Sequence, residues 1–270
     1  MTSAPRVSVI MAVYNEERFL AEAVESVLAQ SFEDFELIIS DDGSSDGTLA
    51  QARTLAERDP TRIRVLHGER NQGKPFALNR ALGVRRGGLI AWLDGDDVML
   101  PGKLERQVSA LDAHPAAVGC SHDAEMFESD SDRVIGRFSS VANGRPLRDG
   151  GIELWFDPTY RMLPSATMIR SAACPAGGFD ERLTFTNDWL FDIEVFRHGR
   201  CIAIDDVLVR YRRHSNNFTT RAGASGVAYE EGLMTMAIVT ARYPELQRRA
   251  RTVSAAILLG RARSRLAARD

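Results

Sequence analysis

Three carboxylates, Asp94, Asp96 and Asp97, crowd into four residues directly after the apolar run Leu89 to Leu93. Like charges this close repel one another, and a divalent cation offsets them. Hard Mg²⁺ or Mn²⁺ prefers carboxylate oxygen and keeps positions open for phosphate. Gly95, between the acids, lets backbone and ligand approach closely. A second acidic pair, Asp41-Asp42, ends another apolar run, Phe35 to Ile39. A carboxylate there can accept hydrogen bonds from a base N–H or from ribose hydroxyls, while the first cluster holds metal and diphosphate. Asn71-Gln72-Gly73-Lys74 adds further donors. No GxxxxGK[ST] occurs and no GxGxxG follows the first apolar run. Phosphate must then be neutralised by metal and cationic side chains in place of a glycine cradle. Each cluster alone has a plainer reading: the acidic run as a helix-capping loop, Lys74 as a solvated surface residue.

The surrounding elements favour the sharper reading. Val7 to Val13, Phe35 to Ile39, Ile63 to Leu66 and Leu89 to Leu93 read as buried strands. Between them lie a helix carrying Phe19, Leu20, Val24, Val27 and Leu28, one ending near Arg58, and one over Ala77 to Val84. Pro101 starts a helix that runs to about His114. This alternation with short loops predicts a parallel sheet covered by helices. Both acidic clusters then sit at carboxyl ends of strands, on one edge, where such sheets bind ligands. Beyond a strand at Val118 to Ser121 the pattern loosens, with Asn143-Gly144 read as a hairpin turn. Ser165 to Arg170 reads as a strand re-entering the sheet, Trp189 to Arg197 as a helix, and the chain from Ala228 as helical. Ile202 to Ile204 and Val207 to Val209 are two short apolar runs.

The 270 residues suffice for one large α/β domain or two small ones, with a sizeable core. Net charge is −3, so there is no global basic field and no nucleic-acid partner is expected. Cys120, Cys174 and Cys201 are few and widely spaced, which argues for a reducing compartment. No signal pattern and no apolar run of 18 residues appears, so a cytoplasmic protein is expected.

In order, the stretches VSVIMAVYNEERFLAEAVESVLAQ, FELIISDDGSSDGT, NQGKPFALNRAL and IAWLDGDDVMLP resemble glycosyltransferase family 2. GGFDE, Asn187-Asp188-Trp189 and YRRHSNN complete the set, which covers about Arg6 to Arg221. The family comprises inverting nucleotide-sugar transferases. The resemblance implies an α/β GT-A fold: a Rossmann-like, mostly parallel central sheet flanked by helices, with a C-terminal helical extension. It implies a domain over 1–221, with a nucleotide-sugar half (1–121) and an acceptor-side half (122–221), and a helical extension over 222–270. By the same resemblance Ala12, Val13 and Tyr14 line the base and Asp41 bonds it, usually as uracil. Asp94 contacts ribose and diphosphate, and Glu16, Asn71, Gly73, Lys74 and Gly95 complete the donor site. Asp96 and His214 hold Mn²⁺ or Mg²⁺, and Asp188 is the catalytic base.

The chain departs from the family at Asn187, where relatives carry Glu, and at Leu78, where an Arg is common. The QxxRW signature of processive synthases is absent, so a single transfer per encounter is expected. The implied donor is a UDP-sugar, and the acceptor is a hydroxyl of a glycan, a lipid-linked sugar or a small molecule. Transfer to polyprenyl phosphate and an inactive, sugar-binding homologue are the alternatives. Trp155, Phe156, Tyr160 and Trp189 read either as sugar-stacking residues or as core. Leu246 to Arg269 holds seven Arg and no acid, with Val253, Ile257 and Leu258 interspersed. Such a helix reads as a peripheral contact with anionic membrane, a solvated terminal helix or a dimer contact.

Overall fold

The computed structural model describes residues 4–157, 159–215, 217 and 226–267. The first half is a regular alternation. It runs β1 (Val7–Val13), α1 (Leu20–Leu28), β2 (Phe35–Asp41), α2 (Thr48–Arg58), β3 (Ile63–His67), α3 (Lys74–Leu82) and β4 (Leu89–Trp92). Then come β5 (Val98–Met99), α4 (Lys103–Ala113), β6 (Ala117–Glu128), β7 (Val134–Arg137) and β8 (Thr167–Arg170). The chain closes with α5 (Asn187–Phe196), β9 (Arg200–Arg213), α6 (Val227–Arg242) and α7 (Gln247–Ala267).

Among the described residues nine strands join one sheet of order β3-β2-β1-β4-β8-β6-β9-β5, with β7 on β6. From β3 to β4 every pairing is parallel. Beyond β4 the sheet is mixed: β8 is antiparallel to both β4 and β6, whereas β6 and β9 are parallel. β6 crosses position 121, so residues on either side of it share a single strand. The expected boundary at 221/222 lies outside the described residues.

Strand alternation distributes two cores. Val7, Val9, Met11 and Val13 face α1, α2 and α4, while Ile10, Ile38, Ile90 and Trp92 face α3, α5, α6 and α7. Because β1 is central and buried on both faces, truncating Ile10 to Ala would cost about 2–5 kcal/mol. A polar lock fixes the far end of the sheet. Glu36, buried in β2, accepts from Ser8 Oγ (2.7 Å) and from Arg86 Nε (2.8 Å). Gly87 N donates to Ser8 Oγ, also at 2.8 Å. A Cβ at Gly87 would fall 2.4 Å from Ser8 N, so only glycine fits there.

Several elements differ from their sequence reading. The strand expected at Val118 to Ser121 is part of the 12-residue β6. The two apolar runs near 202–209 are one strand, β9, whose register skips Asp205 and Asp206 between the pairs His122↔Ile204 and Asp123↔Val207. Asn143-Gly144 is no hairpin turn. Its Asn side chain binds the Arg161 backbone in both directions (2.7 and 3.1 Å), and the hairpin instead joins β6 to β7. α4 starts at Lys103, after the positive-φ Gly102. Trp155, Phe156 and Tyr160 are buried in the second core. Among the described residues no helix is long and apolar enough to cross a membrane.

Candidate active site

Parallel register brings the two acidic clusters together. Val13 pairs with Asp41 and Ile10 with Trp92, so β1, β2 and β4 end along one edge. Past β1 the chain turns sharply at Asn15, whose φ of 57° Asn tolerates better than most residues. Asn15 N donates to Ser44 Oγ (2.9 Å) and Glu16 N to Thr48 Oγ1 (2.8 Å), lacing the β1 loop to the β2 loop. Ala12 and Val13 form the strand end, and Tyr14 lies exposed above it. At Gly95 a Cβ would meet Val13 Cγ1 at 2.7 Å, so glycine there permits close contact with the end of β1.

Asp41 and Asp42 are buried, and each is half satisfied. Asp41 Oδ2 accepts from the Gly43 and Ser44 amides at 3.1 Å, and His67 Nδ1 lies equally close. Asp42 Oδ2 accepts from Gln72 N (3.0 Å) and Gly73 N (2.6 Å), which draws the 71–74 loop over β2. The Oδ1 atoms of both have no hydrogen-bond partner among the described residues. A buried carboxylate oxygen left without a donor costs free energy, and a ligand N–H or O–H recovers it. Asn71 stands exposed at the rim.

The second cluster divides by role. Asp97 is fully buried, accepting from Ser165 Oγ (2.6 Å) and Arg212 N (3.1 Å). Burial, then Asp96 and Asp94, push its carboxyl well above the usual range. Through these two bonds it braces the loop against Ser165 and β9. Asp94 Oδ1 accepts from Lys74 Nζ at 2.6 Å, and its amide is held by Ser165 Oγ. Asp96 Oδ2 lies 3.0 Å from His214 Nε2 and 3.1 Å from Asn217 Nδ2. Negative charge is in excess here. Burial together with Asp96 and Asp94 pushes Glu16 up to about 8, which a bound cation would reverse.

Asp188 occupies the first turn of α5, and its Oδ1 accepts from Trp189 N (2.8 Å). The N-cap position belongs to Thr186. Burial raises the Asp188 carboxyl above its ordinary range, against the opposing charge of Lys74. Burial likewise works against the Lys74 ammonium, but Asp94, backed by Asp188 and Asp96, outweighs it and keeps the lysine charged. Lys74 therefore stands in the field of both the Asp94–Asp96 pair and Asp188, far apart as they are in sequence. Trp189, whose Nε1 donates to Trp155 O (2.7 Å), walls this end.

Four groups at the site escaped sequence reasoning. Arg80 reaches Asp41 O (2.9 Å) and Ser40 Oγ (3.3 Å) and lies 3.8 Å from Asp42 Oδ1. Ser165 and Asn217 tie the DxD loop to distant strands. Asp192, one helical turn past Asp188, accepts from Trp155 Nε1 (3.1 Å). Its i, i+4 spacing from Asp188 was the available signal. Asn216, within the YRRHSNN stretch, lies outside the described residues.

Asp192 carries a pH signature, because burial and then the Asp188 charge push it up to about 8. Between the ordinary carboxylate range and about 8, the folded protein holds a proton that the unfolded chain releases. Stability then falls as pH rises through that window, by up to about 1.4 kcal/mol per pH unit, and levels off above it. Asp192→Asn keeps the shape without titrating and is expected to flatten that slope in urea unfolding. Parallel slopes in parent and variant would remove Asp192 as a source of the pH dependence.

The family model described as Glycosyl transferase family 2 matches residues 8–175. The putative glycosyltransferase EpsE of Bacillus subtilis is 46% identical over 114 residues, covering 42% of this chain and 41% of that protein. An uncharacterized glycosyltransferase of Haemophilus influenzae is 29% identical over 225 residues, covering 80% of this chain and 68% of its own length. The chain thus spans less than half of the first relative and about two thirds of the second. Among solved structures, S. aureus TarS 1-349 in complex with UDP-GlcNAc superimposes with TM-score 0.70 at 20% identity, over 87% of this chain and 66% of TarS 1-349. The mannosyltransferase PcManGT from Pyrobaculum calidifontis, in complex with GDP-Man and Mn²⁺, gives 0.67 at 20% identity, over 97% and 76%. The arrangement of sheet and helices is that of the GT-A fold.

Proposed function

The chain belongs to glycosyltransferase family 2, and on that premise we propose metal-dependent, inverting transfer of a sugar from a nucleoside diphosphate, UDP foremost, to an acceptor hydroxyl. One observation carries the reading. Strand ends on one sheet edge carry Asp41 and Asp42, each with an Oδ1 lacking a hydrogen-bond donor, and the Asp94–Asp96 pair, with Lys74 Nζ on Asp94 and in the field of Asp188. Neighbours of the same fold bind UDP-GlcNAc, or GDP-Man with Mn²⁺.

Asp96 and His214, whose Oδ2 and Nε2 lie 3.0 Å apart, are the residues that would hold a divalent cation, carboxylate oxygen and imidazole nitrogen being donors that such ions accept. Among the described residues no three His, Cys, Asp or Glu side chains are placed to hold a metal by themselves, so diphosphate oxygens would have to complete its coordination. When bound, the cation supplies Lewis-acid stabilisation of the departing diphosphate. The chain's own residues do the rest. Asp188 takes the acceptor proton as the oxygen attacks the anomeric carbon opposite the leaving group, and Trp189 limits water at that end. Lys74, held charged by Asp94, adds positive potential beside the phosphates. Cys120, Cys174 and Cys201 are all unpaired, which suits a reducing, cytoplasmic setting.

Base recognition gives the direct test. Uracil offers an N3–H to Asp41 Oδ1, whereas cytosine offers only an acceptor there. Such a mismatch discriminates strongly because it leaves buried polar atoms unpaired. Calorimetry should show UDP binding at least ~10-fold tighter than CDP. Asp41→Asn, which can still serve the Gly43 and Ser44 amides, should erase that preference. Equal affinity of the parent for UDP and CDP would refute base reading by Asp41.

A further inference from the structure

The helix α7 has two unlike faces. Ala250 and Val253 are buried in the second core with Leu246, and Ile257 packs against it. Arg261 pairs with Glu230 (2.9 Å) and Ser264 Oγ bonds Tyr229 OH (2.9 Å), so the helix is also fastened to α6. Of the apolar residues noted in the sequence, Val253 and Ile257 therefore serve the fold. The outer face is different. Leu258 and Leu259 are 53% and 60% exposed. Arg251, Leu258 and Arg265 recur every seven residues on one stripe, and Arg248 and Arg263 flank Leu259 on the adjoining part of the exposed face. All four of these arginines are exposed, and no ion pair among the described residues engages them. From Gln247 to Ala267 there is no acid, on a chain whose net charge is −3.

We propose that this outer face of α7 rests on an anionic lipid surface. The leucines would enter the acyl boundary while the arginines, stems along it, reach headgroup phosphates. Two leucines are too few to anchor a protein, so the basic stripe is the necessary second signal. Charge also argues against a second copy as the occupant, since a two-fold contact would set arginine stripe against arginine stripe.

Sedimentation with vesicles tests this, using phosphatidylcholine with and without phosphatidylglycerol. The protein should pellet with the anionic vesicles at low salt and be released at 1 M salt, where the screening length is about 3 Å. Arg251→Glu/Arg263→Glu/Arg265→Glu should lower the partition coefficient at least ~10-fold. Leu258→Asn/Leu259→Asn should also weaken it. Both variants leave the inner face intact, so melting and donor hydrolysis should match the parent. Absence of pelleting at low salt, equal pelleting with neutral vesicles, or full retention in both variants would overturn the proposal. So would a dimer, without vesicle binding, that the leucine variant dissociates.

Discussion

Asp188→Asn is expected to lower sugar transfer to a hydroxyl acceptor by at least ~10² at neutral pH, with folding and UDP affinity close to the parent. The variant separates chemistry from structure. Asn accepts from the Trp189 amide as Asp does, and losing one charge in the first turn of α5 costs only about 0.3–1 kcal/mol. What it cannot do is take a proton. Asp192 is the nearest substitute on the helix, but its Oδ2 is engaged by Trp155 Nε1 and burial still disfavours its charged form in the variant. The comparison also addresses the acceptor. A polyprenyl phosphate is already anionic and needs no base, so transfer to it would survive the substitution. Near-parental transfer to a hydroxyl in Asp188→Asn would place the base elsewhere.

Much of this architecture was legible in the chain because buried strands and amphipathic helices have distinct periods. β1, β2, α1, α2 and α5 fall within a few residues of where apolar spacing places them. The acidic clusters were legible because charge directly after an apolar run marks a strand end. What escaped depends on contacts between distant segments. The Asp205-Asp206 interruption reads as a loop, yet the two residues only bulge out of β9, which pairs with consecutive β6 residues on either side of them. Leu78 was read as a missing arginine. It lies in the second core, while Arg80, two residues on, reaches Ser40 and Asp41. Ser165 carries no local pattern and Asn217, although inside the YRRHSNN stretch, had no role assigned; only the folded chain brings them to Asp94, Asp96 and Asp97.

The central claim is that Asp96 and His214, beside Asp94 and Lys74, hold a metal-bound diphosphate. Removing the cation forfeits several kcal/mol of leaving-group stabilisation, so EDTA or Asp96→Ala should cut transfer by about three orders of magnitude or more. His214→Ala should cost less, because water can take its position. The most direct measurement is calorimetric titration of UDP in Mn²⁺ and in EDTA, for the parent and Asp96→Ala. Saturable UDP binding in Mn²⁺ should weaken at least ~10² in EDTA, the scale of a cation–phosphate contact worth about 3 kcal/mol, and Asp96→Ala should bind equally weakly in both. UDP binding of the parent that is the same in EDTA as in Mn²⁺, or full Mn²⁺ dependence retained in Asp96→Ala, would contradict it.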